Sequence, residues 1–233
     1  MRKLLLFLLC LSISHAGAAQ DKPKLFLVGD SISLYYTPYL KADIANTFSF
    51  SRKASPGMEV TAGTIDDPKG NGQDSRLVLS YLRTRYAEAD FHPDVVMVNC
   101  GLWDIRRNPK TNEIVVGTDE YKSNLVAIAD LVHSKGAKMI WIDTTPVDDA
   151  RHNSLSKSFF RFNADVKTYN GIADGFFAER HVPIVDLYTF TSQLGPGHVI
   201  DHVHFDESTR ALQAAFIAGY LESWQQSSSG AGR

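Results

Sequence analysis

The sequence predicts an α/β fold built on one central, mostly parallel five-stranded sheet. Two observations carry this expectation. Short apolar, β-rich runs alternate with longer helical patterns along the chain. The inner runs, Val95 to Val98 and Met139 to Ile142, are apolar without alternation, as strands buried on both faces must be.

Taken in order, the five strand-like runs are 24–28, 47–51, 94–99, 138–142 and 182–186. Between them, 75–89 places Leu79, Leu82 and Tyr86 on one helical face. The pattern over 118–135 starts with Thr118 as N-cap and an acidic first turn. It carries Tyr121, Leu125, Ile128 and Val132 in step and stops at Gly136. A third pattern, 159–180, aligns Phe162, Val166, Tyr169 and Ala173, and 207–224 aligns Leu212, Ala215, Ile217 and Leu221. The stretch 56–72 is rich in Pro, Gly and Asp and reads as a long loop, and 227–233 reads as a frayed tail.

Residues 1–19 stand apart. Arg2 and Lys3 precede an apolar stretch from Leu4 to Ile13, and Ala16, Ala18 and Ala19 offer small residues for cleavage. The run is too short for a membrane span. The expected organisation is therefore a signal peptide at 1–19, one domain over 20–226 and a flexible tail at 227–233, in a secreted or periplasmic protein without a stable membrane anchor. Removing the signal leaves 214 of the 233 residues, with 22 of the 24 basic residues and all 26 acidic ones, a net charge of −4. That balance argues against a nucleic-acid partner, which would want a basic face. Cys100 is then the one remaining cysteine, so no intramolecular disulfide is expected.

In parallel sheets the reactive groups sit beyond the carboxyl ends of the strands. This directs attention to 29–33, 70–75, 99–107 and 195–205. Gly29-Asp30-Ser31 follows the first strand, where a glycine permits a sharp turn and the serine hydroxyl can project over the sheet edge. By itself the tripeptide is equally a turn or a helix cap. Near the far end, Asp201-His202-Val203-His204 supplies what a nucleophilic serine needs, a base and a carboxylate to orient it. His204, three residues after Asp201, has the better spacing, and His202 is the competing base. The same segment, with His198 and Asp206, offers an alternative reading as a divalent-metal site. The Asp-x-x-His pairing already accounts for its composition. Cys100 closes a buried strand and reads as a core residue.

These blocks together resemble the SGNH, or GDSL-type, serine hydrolase superfamily: Gly29-Asp30-Ser31, then Gly101-Leu102-Trp103-Asp104, then Asp201-x-x-His204, in order, over about 24–224. The resemblance implies a flavodoxin-like three-layer sandwich and ester hydrolysis without metal or cofactor. It implies Ser31 as nucleophile, His204 as general base and Asp201 as its partner. It also implies an oxyanion hole formed by the Ser31 N–H and a glycine N–H, assigned to Gly72 in Asn71-Gly72-Gln73, with Gly57 as rival. The family's third block normally has Asn where this chain has Trp103. The indole N–H, Asn71 or Asn99 is then the substitute donor. Asp30, Trp103 and Asp104 are assigned to substrate binding. Tyr35, Tyr36 and Tyr39 are candidate aromatic platforms, and Arg106, Arg107 and Lys110 form either a solvated face or an anion contact. The implied substrate is an acylated small molecule or polysaccharide, with a carbohydrate O-acylesterase favoured. A lipase, lysophospholipase or thioesterase on the same triad is the enzymatic alternative, and a non-catalytic carbohydrate-binding protein the alternative of another class.

Overall fold

The computed structural model describes residues 21–55, 58 and 67–230. The segment read as a signal peptide, and Gly57, lie outside the described residues.

The chain runs β1 (Lys24–Val28), α1 (Ser31–Asp43), β2 (Ser49–Arg52), α2 (Ser75–Arg85), β3 (Val95–Val98), α3 (Thr118–Ser134), β4 (Lys138–Ile142), α4 (Asp149–Leu155), α5 (Asn163–Glu179), β5 (Ile184–Val185), α6 (Leu187–Gln193) and α7 (Glu207–Gly230). The five strands form one sheet in the order β2-β1-β3-β4-β5, with every pairing parallel. Register sets Leu27 opposite Arg52 on one side and Met97 on the other.

Burial follows the sequence pattern. All four residues of β3 are buried, as are the last four of β1 and β4. The edges are blunted, β2 by the polar sequence Ser-Phe-Ser-Arg and β5 by its two-residue length. The connection from β1 runs outward to β2 and the later ones run the opposite way through β3, β4 and β5, so crossovers of the usual right hand place helices on both faces. Helices α1, α6 and α7 pack together, as do α2, α3 and α5. Trp141 of β4 stacks on Phe177 of α5 at 4.8 Å and donates to Asp143 at 3.0 Å, so its N–H is satisfied inside the core.

Several boundaries move from their expected places. The second strand is shifted to Ser49–Arg52 and the fifth is cut to two residues. The helix expected over 159–180 begins at Asn163, because 159–162 is drawn into backbone pairing with Arg107. The first α3 turn is preceded by Gly117, which makes no side-chain cap, so Thr118 is inside the helix instead of capping it. The tail expected from 227 is helical to Gly230. α1, α4 and α6 were not expected as helices. In α1, Pro38 and the aromatic run weaken the helical signal, which is restored by burying Ile32, Leu34, Tyr36 and Leu40.

The strand order reverses between β1 and β3, so the crevice outside their carboxyl ends lies at the switch of winding direction. Ser31 leaves β1 there, and Gly101 leaves β3. Gly101 has φ +142, and a Cβ added to it would sit 2.5 Å from Thr144 Oγ1. Both backbone and space demand glycine. Gly101→Ala should therefore lower stability by at least ~2 kcal/mol, read as a lower urea midpoint with an unchanged slope.

Candidate active site

Ser31 owes its position to the residue before it. Asp30 is extended (φ −80, ψ −163) and caps α1, accepting from Ile32 N–H at 2.9 Å and from Ser33 N–H at 3.4 Å. The Ser31 N–H, at the positive end of the helix, has no acceptor among the described residues. Asp30 is 2% exposed. Burial raises its pKa, against the pull of those two N–H groups and of Arg161 and His204. The expectation that Asp30 touches substrate is thus corrected. Its carboxylate is turned inward to hold the turn.

His204 is presented by a loop that closes on itself. Ile200 N–H donates to His204 O at 2.8 Å and Asp206 N–H to His198 O at 2.7 Å. Within it, one Asp201 oxygen accepts the N–H groups of Val203 and His204, each at 2.8 Å. The other lies 2.7 Å from His204 Nδ1. Burial alone would raise the Asp201 pKa, but the two N–H donors and the ring outweigh it and hold it at about 2. His204 Nε2 lies 2.8 Å from Ser31 Oγ, closing a continuous line from carboxylate to hydroxyl. The Tyr35 ring stacks on His204 at 4.4 Å and 5°, and the Arg210 guanidinium covers the other face of Tyr35's surroundings at 4.2 Å from that ring.

The other histidines are committed elsewhere. His202 Nδ1 meets His152 Nδ1 at 3.1 Å, and His198 lies between Asp206 and the Leu194 carbonyl. Burial and then the Arg161 charge push His152 down to about 4. Among the described residues, no group of three or more His, Cys, Asp or Glu is arranged to hold a metal ion. Cys100 is buried, and burial raises its thiol pKa well above the ordinary value, as a core residue requires. A depression of about 970 Å³ lies at the opposite, amino end of the strands, beside Pro23, Asp94 and Lys138, and takes no part in this site.

A profile for the GDSL-like lipase/acylhydrolase family matches residues 25–217. The chain belongs to this family. It is accordingly a carboxylic ester hydrolase. No curated protein matches it in sequence. Its fold is similar to that of a GDSL-like lipase from Bacteroides thetaiotaomicron, with 17% identity, TM-score 0.60, and 86% of this chain and 88% of that one covered. It is similar to a psychrotrophic esterase from Pseudoalteromonas sp., with 11% identity, TM-score 0.60, and 88% and 100% covered. An acetylxylan esterase from Geobacillus stearothermophilus is similar at 16% identity and TM-score 0.60, with 86% and 94% covered.

The surroundings of the serine in this GDSL-like hydrolase depart from expectation at several residues. The Gly72 N–H donates to Gly29 O at 2.7 Å, and a Cβ on Gly72 would come within 2.9 Å of that oxygen. Gly72 therefore locks the loop against the β1 turn, and its N–H is not offered to an oxyanion. The Asn99 amide donates to Ile142 O at 3.0 Å and is likewise committed. Asn71 accepts from Gln73 N–H at 2.8 Å through its oxygen, and its NH₂ has no acceptor among the described residues. The Trp103 indole nitrogen is buried without a partner. Asp104, assigned to substrate, is fully buried and accepts from the N–H and hydroxyl of Ser75. Burial raises it to about 6, and its role is to tie the start of α2 to the loop after β3. Arg107 is paired with Asp165 at 2.7 and 2.8 Å, while Lys110 is exposed.

Sequence reading passed over Arg161, Arg210 and His152. A lone charge inside the aromatic run Phe159-Phe160-Arg161-Phe162 was the available signal for the first.

Asp201→Asn should fold yet lose roughly a thousand- to ten-thousandfold in kcat, because the amide cannot stabilise the imidazolium. His202→Ala should cost less than about tenfold. Equal losses in the two variants, both folded by circular dichroism, would move the base to His202. The depressed Asp201 pKa also fixes a sign. Its contribution to stability is complete above the ordinary carboxylate value near 3.9 and is lost as pH falls toward about 2. Acid unfolding of Asp201→Asn should lack that increment.

Proposed function

We propose that this GDSL-like hydrolase is an exported serine esterase that removes acyl groups, acetyl above all, from carbohydrate. The observation that carries the mechanism is the line Asp201–His204–Ser31, with contacts of 2.7 and 2.8 Å. Ser31 Oγ attacks the ester carbonyl carbon as its proton passes to His204 Nε2. Asp201 holds the ring with Nδ1 protonated and stabilises the cation that forms. Negative charge gathers on the former carbonyl oxygen, for which the Ser31 N–H and the Asn71 NH₂, without an acceptor among the described residues, are the donors this reading assigns. Each such donor is worth about 3–4 kcal/mol in related chemistry. The tetrahedral species expels the alcohol, which takes the proton from His204. Water then enters by the same base, releasing the acid and restoring Ser31.

The carbohydrate part of the reading is supported by the aromatic faces of Trp103 and Phe159 near the triad and by the likeness of the fold to an acetylxylan esterase. Export is supported by the composition of residues 1–19. Among the described residues, no helix is long and apolar enough to cross a membrane.

An organophosphonate should place one adduct per chain on Ser31, seen by mass spectrometry. Ser31→Ala should lose both the adduct and hydrolysis of a nitrophenyl acetate. Labelling that persists in Ser31→Ala would remove Ser31 from the mechanism. Acetate release from acetylated glycans should exceed turnover of long-chain lipid or thioester substrates, and the reverse order would favour the lipase or thioesterase reading. EDTA should leave the rate unchanged, whereas loss restored by zinc would revive a metal site.

A further inference from the structure

Next to the triad lies a cluster that the mechanism does not use. The ring of His202 is 5.9 Å from that of His204, Phe159 is 6.5 Å from His202, and Trp103 is 6.5 Å from Phe159. Two guanidinium groups share these last two rings. Arg106 lies 4.5 Å from the Trp103 ring and 5.5 Å from Phe159, and Arg161 lies 4.7 Å from Phe159 and 5.8 Å from Trp103. Arg161 is 2% exposed and is rigidly seated. Its backbone N–H and carbonyl are both bound by the Asn153 amide, and its Nε donates to Leu102 O at 2.6 Å.

What is missing is a carboxylate in contact. Among the described residues no carboxylate comes within 4.0 Å of Arg106 or Arg161; the Asp30 charge acts on Arg161 from further off, and each guanidinium uses its Nε on a carbonyl, Leu102 O for Arg161 and Trp103 O for Arg106. The Trp103 indole nitrogen is a buried donor without an acceptor. The contrast with the neighbouring arginines is informative. Arg107 is held by both oxygens of Asp165, and buried Arg52 donates to Thr37, Ser33 and the carbonyls of Lys53 and Gly70. Arg161 has one carbonyl and the more distant Asp30 charge in place of such a set, and the natural complement of a buried guanidinium is a planar anion able to accept two parallel bonds.

We propose that Arg161, Arg106 and the Trp103 indole form a subsite for a carboxylate on the substrate, so that the preferred ester is an acylated acidic sugar such as a uronic acid. Arg161 forms its floor. Half-buried Arg106 and Trp103 form its outer wall, and the ring faces accept the sugar's C–H surface. Because the cluster begins one ring beyond the base, the carboxylate lies several bonds from the scissile carbonyl. The inference rests on the esterase reading of Ser31 and adds the charge of the substrate to it.

The test compares two esters that differ at one carbon, an acetylated methyl glucuronide and the matching acetylated methyl glucoside, alongside neutral nitrophenyl acetate. Wild type should favour the acidic sugar by roughly tenfold or more in kcat/KM, and free glucuronate should inhibit better than glucose. Arg161→Met and, separately, Arg106→Met should drive that ratio toward one, chiefly through KM for the acidic ester. Arg106 is half-buried, so its variant keeps the question open to test if Arg161→Met fails to fold. Ser31-dependent hydrolysis of nitrophenyl acetate with no preference between the sugars in wild type would overturn the subsite and leave the esterase standing. Equal loss of kcat on all three esters in folded arginine variants would also overturn it, placing these residues at the reacting atoms. Nitrophenyl acetate hydrolysis that survives Ser31→Ala would instead sink the underlying esterase reading.

Discussion

The site depends on the packing of α1 against α7. Ser31 opens the first helix and His204 lies just before the last, 173 positions later in the chain, yet their side chains meet at 2.8 Å. Nothing local can hold that distance. The two helices lie side by side on one face of the sheet, burying Ile32, Leu34, Tyr36 and Leu40 from α1 and Ala214, Ile217, Ala218 and Leu221 from α7. Polar contacts reinforce the apolar seam at the end where the chemistry lies. Tyr39 OH donates to Glu207 at 2.8 Å, and Arg210 of α7 reaches over Tyr35 of α1, whose ring backs His204. A slip of one helix along the other would separate Ser31 from His204.

Around this seam, carboxylates that look chemical in the sequence divide into two kinds. Asp201 is partly exposed, and its oxygens are shared between the loop's own N–H groups and the ring of His204, so one residue both shapes the turn and sets the tautomer. Asp30 and Asp104 are buried, and their partners are backbone N–H groups and Ser75. They fix the starts of α1 and α2, and through them the walls of the crevice. The same carboxyl chemistry serves structure or catalysis according to whether its second oxygen has a free neighbour to act upon.

Cations divide in a similar way. Arg52 and Arg107 find enough acceptors to be structural, whereas Arg161 and Arg106 gather around Trp103 and Phe159 with one backbone carbonyl each. These two cations beside Ser31 are what the proposed carboxylate subsite draws on, a charge preference that neither the chain's acidic balance nor its fold suggests.

The sequence by itself determined much of this protein. Alternation of buried strands and amphipathic helices specified a parallel α/β sheet, because a strand covered on both faces has to be continuously apolar. It located Lys24–Val28 and Lys138–Ile142 to the residue. It also brought forward Ser31, Asp201 and His204, since a strand-end Gly-Asp-Ser and an Asp-x-x-His are local patterns with local geometry. It missed α1, whose helical signal is weak and whose stability comes from burial against α7. It assigned the Gly72 N–H to the oxyanion and Asp104 to substrate, both of which are occupied by partners distant in sequence, Gly29 and Ser75. Arg161 showed in the sequence as no more than a lone charge in an aromatic run. A residue type states what a side chain can donate or accept. Only the tertiary structure decides whether another part of the chain has already taken that capacity, because hydrogen bonds saturate and their partners are chosen by packing.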